Sequence, residues 1–402
     1  MKWTSKSKLM PIALFALTLT AAACTSATTN PVPPADTSQT QATQIADTRD
    51  SATTPKVGQL ELVANLNITP GNITVSRTGR IFASVHGMRR GTAQLIEIMP
   101  GENKWKPFPD VAWNSAPGSG RDVLNTAHGV AIDNQDRLWV IDHGNWMPNN
   151  QPAAQPKLVA FDINTGKLAF RLDLDSSAAP NGQILQDLAV DTERGFVYIA
   201  DSGDRAGILV VDTKNRRTWR WEGHQSLQAE NIDMVVEGKK LSFRRPDGSQ
   251  NPARIAVNPI TLSADRETVF YGAMTGTKWY SVPAKLLREQ ASSQQLDQAV
   301  KLVGNKPISD GISTDAEGNH FITNLPEDAI DVLSKDGKLT RLVQDKRFLF
   351  ADNVRFGADS WLYININQLH RASIFTGKPT DAGTPPYQIF RVWTGTKGQP
   401  GR

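Results

Sequence analysis

The stretch "HGVAIDNQDRLWVIDHGN" (residues 128–145) places a short apolar strand before a polar turn and a second strand that ends in charged residues. The same order recurs at five further places, which begin at Asn72, Asp187, Arg254, Asp310 and Asp352. Successive unit starts are 56, 59, 67, 56 and 42 residues apart, enough for four short strands and their loops. A repeat of this period predicts an all-β fold, a six-bladed β-propeller whose closed ring protects the sheet edges.

Each unit starts with a polar or turn residue. In a propeller, the innermost strand of every blade starts beside the central channel, so these residues are expected to face one shared channel. Local strand capping would explain any one of them taken alone. The prediction therefore depends on several of them converging on one axis.

The first residues indicate the compartment. Residues 1–23 contain three lysines, then an apolar run, then small residues, which is typical of a signal peptide. Cys24 follows three alanines, where a bacterial lipoprotein carries its lipidated cysteine, although a plain secretory signal would leave the same pattern. We expect an exported protein that a lipid on Cys24 anchors to the membrane, facing the periplasm or the cell exterior.

Composition divides the remaining chain. Residues 24–56 have no aromatic side chain and much Ser, Thr, Pro and Ala, which predicts a disordered tether. Residues 57–397 are expected to form the propeller domain, most simply as a monomer. Removal of residues 1–23 takes away three lysines and lowers the formal net charge from +4 to +1. The mature chain thus lacks the basic character of a nucleic-acid-binding protein.

Three further stretches are distinctive: "LQDLAVDTERGFVYIADSGDRAGILVVDTKNRRTWR" (185–220), "RIAVNPITLSADRETVFYGAMTGTKWYSVPAKLLRE" (254–289) and "ADNVRFGADSWLYININQLHR" (351–371). They resemble the yellow/major royal jelly protein family. The resemblance implies a six-bladed propeller, in agreement with the repeat. It also implies isomerisation of dopachrome-like rings, binding of biogenic amines, or storage, since members of the family differ in function.

The stretch "SDGISTDAEGNHFIT" (309–323) carries a more distant similarity, to the Asp-Gly strand of the regucalcin/gluconolactonase propellers. Those proteins hold a divalent metal in the channel and hydrolyse lactones, so the resemblance implies a metal ligand at Asp310. At the other ligand positions, Asp187 stands where those proteins use Asn, and His128 stands where they use Asn or Asp. Asn72 stands where they use Glu.

The channel chemistry is expected to rest on three residues, His128, Asp187 and Asp310. Two carboxylates with nearby carbonyl and amide oxygens suit Ca²⁺, and without metal their like charges would create an acid/base pair. His128 has the pKa range for moving protons. His86 and His143, each before a glycine, are candidates for loops at the channel mouth.

Ligand contacts are expected at four further polar residues: Asn72, Asp352, Asn353 and Asn367. We expect a small-molecule site in the channel that isomerises or tautomerises a small oxygenated ring, or hydrolyses a lactone. The alternative is a non-catalytic protein that captures a small amine or aromatic compound, or docks another envelope protein. Whether the chain is an enzyme stays open at this point.

Overall fold

Strands dominate the part of the chain that a computed structural model describes, which comprises residues 54–89, 91–115, 122–144, 154–244, 247–376 and 381–401. Residues from Thr54 onward belong to one compact unit. The predicted signal peptide (1–23), Cys24 and most of the predicted tether lie outside the described residues, so export and lipidation stay predictions. None of the helices in the described ranges has the length and apolar character needed to span a bilayer.

The first three blades use strands that follow one another along the chain. After β1 (Leu60–Leu66), the first blade contains β2 (Pro70–Val75), β3 (Ile81–Val85), β4 (Leu95–Ile98) and, beyond the short β5 (Gly101–Glu102), β6 (Trp105–Pro107). The second contains β7 (Ala127–Ile132), β8 (Arg137–Asp142), β9 (Lys157–Asp162) and β10 (Leu168–Asp173). The third contains β11 (Leu185–Asp191), β12 (Phe196–Asp201), β13 (Gly207–Asp212) and β14 (Arg217–Glu222).

Two small hairpins precede the fourth blade. They are formed by β15 (Val235–Val236) with β16 (Lys239–Lys240), and β17 (Ser242–Arg244) with β18 (Gln250–Pro252). The fourth blade contains β19 (Val257–Leu262), β20 (Thr268–Ala273), β21 (Lys278–Pro283) and, after helices α1 (Ala284–Arg288) and α2 (Ser293–Ala299), β22 (Lys301–Asn305). The fifth contains β23 (Ile312–Thr314), β24 (His320–Asn324), β25 (Ala329–Leu333) and β26 (Leu339–Gln344).

The sixth blade joins the two ends of the described chain. It contains β27 (Ala351–Phe356), β28 (Trp361–Ile366) and, after the short helix α3 (Ser373–Thr376), β29 (Tyr387–Trp393), and β1 completes it. β1 runs antiparallel to β29, with Leu60 opposite Val392 and Leu66 opposite Tyr387. The innermost strands contact one another around the ring from β2 to β27 and back to β2. The predicted six-bladed propeller is confirmed.

The acidic turn of the repeat has a structural role. The carboxylate of Asp133 accepts hydrogen bonds from the backbone N–H groups of Gln135 and Arg137, at 2.9 and 3.1 Å. Asp315 does the same for Glu317 and Asn319, at 2.9 and 2.8 Å. The aspartate that follows an innermost strand therefore accepts hydrogen bonds from backbone N–H groups of the turn that the strand ladder does not pair.

A cap covers the channel at the end where the innermost strands begin. It consists of the two hairpins β15–β16 and β17–β18 and the segment around α3. Phe243 of β17 stacks on Phe375 of α3, with ring centroids 5.2 Å apart. Glu237 of the first hairpin binds His370 at 2.5 Å and Arg371 at 3.0 Å. Aromatic packing and an ion pair thus join two segments that are distant in sequence.

The opposite end of the channel is crossed by residues 397–401, here called the C-terminal strap. Gly398 forms a β-bridge with Asp315 at the end of the fifth innermost strand. Gly401 donates to the carbonyl of Ile132 at 2.8 Å and accepts from the N–H of Val190 at 3.2 Å. The strap therefore links blades five, two and three at the far end of the channel.

Candidate functional site

The innermost strands present one ring of side chains to the channel. In each innermost strand, the equivalent position lies two residues before an apolar residue that pairs with the second strand of the blade. Most of the innermost strands shift register against the second strand at this point. The six equivalent residues are Gly71, His128, Gln186, Asn258, Asp310 and Asp352. All except the glycine line one cavity of about 140 Å³. Five polar side chains near the starts of the innermost strands therefore face one shared channel.

This ring differs from the sequence-predicted one at three positions. Asn72 and Asp187 each come one residue later than the ring position, and Arg254 comes four residues earlier than Asn258. Gln186 and Asn258 hold the ring positions that were predicted for Asp187 and Arg254. The register shift moves the channel-facing residue away from the apparent start of the unit. An alignment of the repeats that ignores the paired apolar residue does not detect this displacement.

His128 is a buried neutral base. Its Nε2 lies 2.7 Å from Oε1 of Gln186, whose amide nitrogen donates to Ser202 Oγ at 3.0 Å. Burial lowers the pKa of His128, while the bond to Gln186 and the charge of Asp187 oppose that shift.

Two further histidines flank His128. Its ring centroid lies 5.4 Å from that of His86 and 5.2 Å from that of His143, both in edge-to-face arrangements. Burial is the main reason that the pKa of each flanking histidine lies well below its usual value, and a charge on His128 would lower both further. Loops at the channel mouth were predicted for these histidines, but both are buried: His86 lines the channel cavity and His143 lines a separate pocket.

Asp310 and Asp352 form the acidic part of the site. Asn258 donates to Asp310 at 2.6 Å, and Asn367 donates to Asp352 at 2.6 Å. Burial raises the pKa of Asp352 to about 7, with a further increase from the charge of Asp187. Burial and the neighbouring charge of Asp352 raise the pKa of Asp310 well above its usual value. The cavity thus holds carboxyl groups that keep protons near neutral pH.

The predicted ligand residues divide into two groups. Asp352 lines the cavity, and Asn367 holds its carboxylate while also donating to the carbonyl of Pro70 at 3.2 Å. Asn72 and Asn353 are buried but are not among the residues that line the cavity. Their amide oxygens accept no hydrogen bond from the described residues. They are positioned one residue deeper, beneath the ring.

Asp187 has a partner that the sequence analysis did not anticipate. Arg355 donates to it with Nη2 at 2.5 Å from Oδ1, and both side chains are almost completely buried. In this geometry a guanidinium neutralises the carboxylate of Asp187. Metal binding by Asp187 and Asp310 stays a prediction. Arg355 occupies the place where the other innermost strands carry Thr74, Ala131, Ala189, Thr261 and Ser313.

Lys306 is a second buried cation behind the acidic residues. Its Nζ donates to Gly276 O, Pro307 O and Ser309 Oγ at 2.9, 3.0 and 3.1 Å. Burial lowers the pKa of Lys306 to about 7, against the charges of Glu230 and Asp310. All three N–H donors of its ammonium group are used, so Lys306 holds in place the segment that leads into Asp310. No sequence pattern indicates this role for Lys306, which stands three residues before Ser309.

The cavity has an apolar roof above this polar floor. Met88, Ile255, Leu369, Ile374 and the stacked pair Phe243 and Phe375 close the side under the cap. A flat ring with polar substituents fits such a lining, since aromatic walls contact its faces and polar groups meet its edge. Among the described residues no group of three or more His, Cys, Asp or Glu side chains is arranged to hold a metal ion.

Comparison with known proteins agrees with this architecture. Major royal jelly protein 3 of Apis mellifera is 37% identical over 200 residues, which are 48% of this chain and 34% of that protein. Dopaminechrome tautomerase of Drosophila melanogaster is 26% identical over 282 residues, 65% of this chain and 59% of that protein. In both matches, the aligned region covers less than two thirds of the relative's length.

Solved structures show the same fold at low identity. A luciferin-regenerating enzyme aligns with a TM-score of 0.52 and 10% identity, over 85% of this chain and 98% of that one. A putative gluconolactonase aligns with a TM-score of 0.50 and 11% identity, over 85% of this chain and 93% of that one.

The family model described as Major royal jelly protein matches residues 125–351, more than half of the sequence. The chain therefore belongs to the major royal jelly protein family.

Proposed function

We propose that this protein binds a small oxygenated ring in the channel cavity and tautomerises it by proton transfer. The observation that carries the proposal is the meeting of a neutral base, His128, with the protonatable carboxyls of Asp310 and Asp352 in one cavity. Tautomerisation needs one group that removes a proton and another that supplies one. A family relative named for tautomerising dopaminechrome supports this choice of reaction.

In the proposed reaction, the imidazole of His128 takes a proton from a ring carbon. The electron pair of that C–H bond moves into the ring toward a carbonyl oxygen, which receives a proton from a carboxyl of Asp352 or Asp310. The carboxylate then recovers the proton from the imidazolium, so atoms and charge balance after each cycle. Burial of His128 favours the return of the neutral imidazole.

The test follows loss of dopaminechrome colour with the purified full-length protein. We expect turnover by the wild type and a decrease of about 10²–10⁴-fold in kcat for His128→Gln, the typical contribution of a general base. Asp352→Asn should lower kcat and remove the alkaline limb of the pH–rate profile, because the rate falls when the proton-donating carboxyl ionises. His224→Gln is the matched control, since His224 caps a short turn outside the cavity.

Two results would contradict the proposal. One is absence of wild-type turnover above the uncatalysed rate, and the other is a His128→Gln protein as active as the His224→Gln control. Lactone hydrolysis is measured on the same proteins as the second reaction of interest. It requires attack by water rather than transfer within the ring, so the product separates the two reactions.

A non-catalytic role is favoured by a different observation. Asp310 and Asp352 are two carboxyls in a partly dry cavity, and an ammonium group would allow both to ionise. A small aromatic amine such as tyramine would place its ring against Phe243 and Phe375. Tight tyramine binding that Asp352→Asn weakens, without turnover of any ring substrate, would favour this binding role over the enzyme.

Calcium stays part of the proposal as a ligand of the same acidic residues. Asp310 and Asp352 would hold it, since both are carboxylates beside amide side chains and Ca²⁺ prefers oxygen ligands. The ion would stabilise negative charge that develops on a ring oxygen. His128 would still bind, orient and move protons as described above.

A further inference from the structure

We propose that Arg254 determines the specificity of the channel cavity by binding the carboxylate of a planar ring ligand. The proposal rests on the proposed ligand site in the channel and names the class of ligand: a flat ring that carries an anionic group. Of the described cavity-lining residues, Arg254 alone carries a permanently positive side chain. In the sequence, Arg254 stands out only as the start of a repeated unit.

The backbone around Arg254 is held in place. The neighbouring Ala253 donates its N–H to the carbonyl of Leu241 at 2.9 Å. On the other side, Ile255 and Thr275 are linked by two hydrogen bonds, Ile255 N–H to Thr275 Oγ1 at 3.1 Å and Thr275 N–H to Ile255 O at 3.0 Å. The guanidinium is therefore presented from a fixed point between the cap and the fourth blade.

Among the described residues, the guanidinium has only distant partners. Arg254 reaches Ala253 O and Asn231 Oδ1 at 3.4 Å and Asp233 Oδ1 at 3.3 Å, the long limit for hydrogen bonds. By comparison, Arg355 approaches its carboxylate to 2.5 Å. Arg254 is thus placed beside acceptors without the short two-pronged geometry that guanidinium groups form with carboxylates.

The nearest carboxylate is already engaged. Asp233 Oδ2 lies 2.7 Å from Lys240 Nζ, closer than Arg254 lies to the same residue. Asp233 is also 35% exposed, so solvent weakens its attraction for Arg254. The positive charge of Arg254 is therefore only partly compensated where it lines the cavity, and an anionic ligand group would complete the compensation.

The rest of the cavity specifies what accompanies the anion. Phe243 and Phe375 provide a stacked aromatic wall, and His128 and Asp352 provide the polar floor. Arg254 is 26% exposed and so lies nearer the solvent than this buried floor. A carboxylate at one edge of a flat ring would meet Arg254, while the opposite edge would face the proposed proton-transfer groups.

Two probes of nearly equal shape test this inference without requiring turnover. They are indole-2-carboxylate, which is anionic, and its uncharged methyl ester, titrated into the full-length protein and followed by calorimetry. We expect the wild type to bind the acid more tightly than the ester by about tenfold, as a charge-assisted hydrogen-bond pair provides. Arg254→Gln should remove that difference, and Arg254→Lys, which keeps charge but loses the two-pronged geometry, should fall between.

Arg217→Gln is the control, because Arg217 is exposed on the outer strand β14 away from the cavity. It should bind both probes as the wild type does, and thermal melting of each variant checks its fold. Equal binding of acid and ester by the wild type, no binding of either, or an equal loss of both in a folded Arg254→Gln protein would overturn the inference. Dopaminechrome turnover is measured separately, so failure of the reaction and failure of the anion preference are distinguishable.

Discussion

Arg355 of the sixth blade and Asp187 of the third blade form a buried ion pair, with Nη2 2.5 Å from Oδ1. Third and sixth blades are opposite in a six-bladed ring, so the pair crosses the propeller axis. Arg355 also donates to the carbonyls of Ile312 and Val354, at 2.6 and 2.9 Å. This network lies beneath the cavity floor and connects three blades through one side chain.

Loss of one partner of this pair should cost more than loss of both. Arg355→Met leaves the Asp187 carboxylate buried without its cation, and we expect a loss of about 3–5 kcal/mol in the free energy of unfolding. The double variant Arg355→Met/Asp187→Leu should recover a large part of that loss, because no charge remains buried. Urea unfolding of the single and double variants measures both values. A double variant less stable than Arg355→Met would show that the pair is net stabilising.

Stability should decrease as pH rises through neutrality because of Asp352. Its pKa is raised from 3.8 to about 7, so between these values the folded protein keeps a proton that the unfolded chain releases. This contribution is fully present below about pH 4 and is lost as pH rises through about 7, by at most about 1.4 kcal/mol per pH unit for one proton.

Asp352→Asn should flatten that dependence. It removes the titrating group, and it also removes a charge that raises the pKa of Asp310. Urea midpoints across the same pH range measure the slope, with Asp336→Asn at an exposed turn as the control. An Asp352→Asn slope equal to that of the control would contradict a raised pKa at this position.

Calcium should raise the melting temperature, and more above pH ~7 than below pH ~5, because the ion competes with protons for the two carboxyls. At a free concentration of about 100 times Kd the gain is about 2.7 kcal/mol. Asp310→Asn should weaken the response by removing a charged oxygen ligand, and a chelator should reverse it. If calcium, magnesium and zinc all leave wild-type melting unchanged, the cavity is a metal-free site.

Cys24→Ser tests the predicted anchor, which concerns a part of the chain outside the described residues. In the cells that make the protein, we expect the wild type in the membrane fraction with the added mass of a lipid. The serine variant lacks the thiol that lipidation requires and should appear in the soluble exported fraction. Identical fractionation and mass for both proteins would leave only a plain secretory signal.

The blade number could be predicted from sequence because every blade repeats one pattern of strand and turn. Aspartates such as Asp133 and Asp315 recur for a local reason, pairing of turn N–H groups, and local rules are visible in sequence. His128, Asp310 and Asp352 were recognised as channel residues by the same periodicity, and the structure brings these three to one cavity.

Other parts of the site depend on contacts across the ring. Asp187 carries the expected charge, yet its role depends on Arg355, which is 168 residues away. The pattern did not distinguish Gln186 from Asp187 because an extra residue in a strand reverses which side chains point inward. A rule that places the channel residue two positions before the paired apolar residue would have selected Gln186 and Asn258.

The pairing of β1 with β29 also sets an order of events during synthesis. The residues of β1 leave the ribosome first among the strands and those of β29 last, so the sixth sheet cannot be completed until nearly all of the chain has emerged. Contacts between such distant segments form slowly, since a long loop must close before they provide stabilisation. Until then β1 is an unpaired strand whose edge groups are open to other chains, so late closure of the sixth sheet creates an aggregation hazard during synthesis.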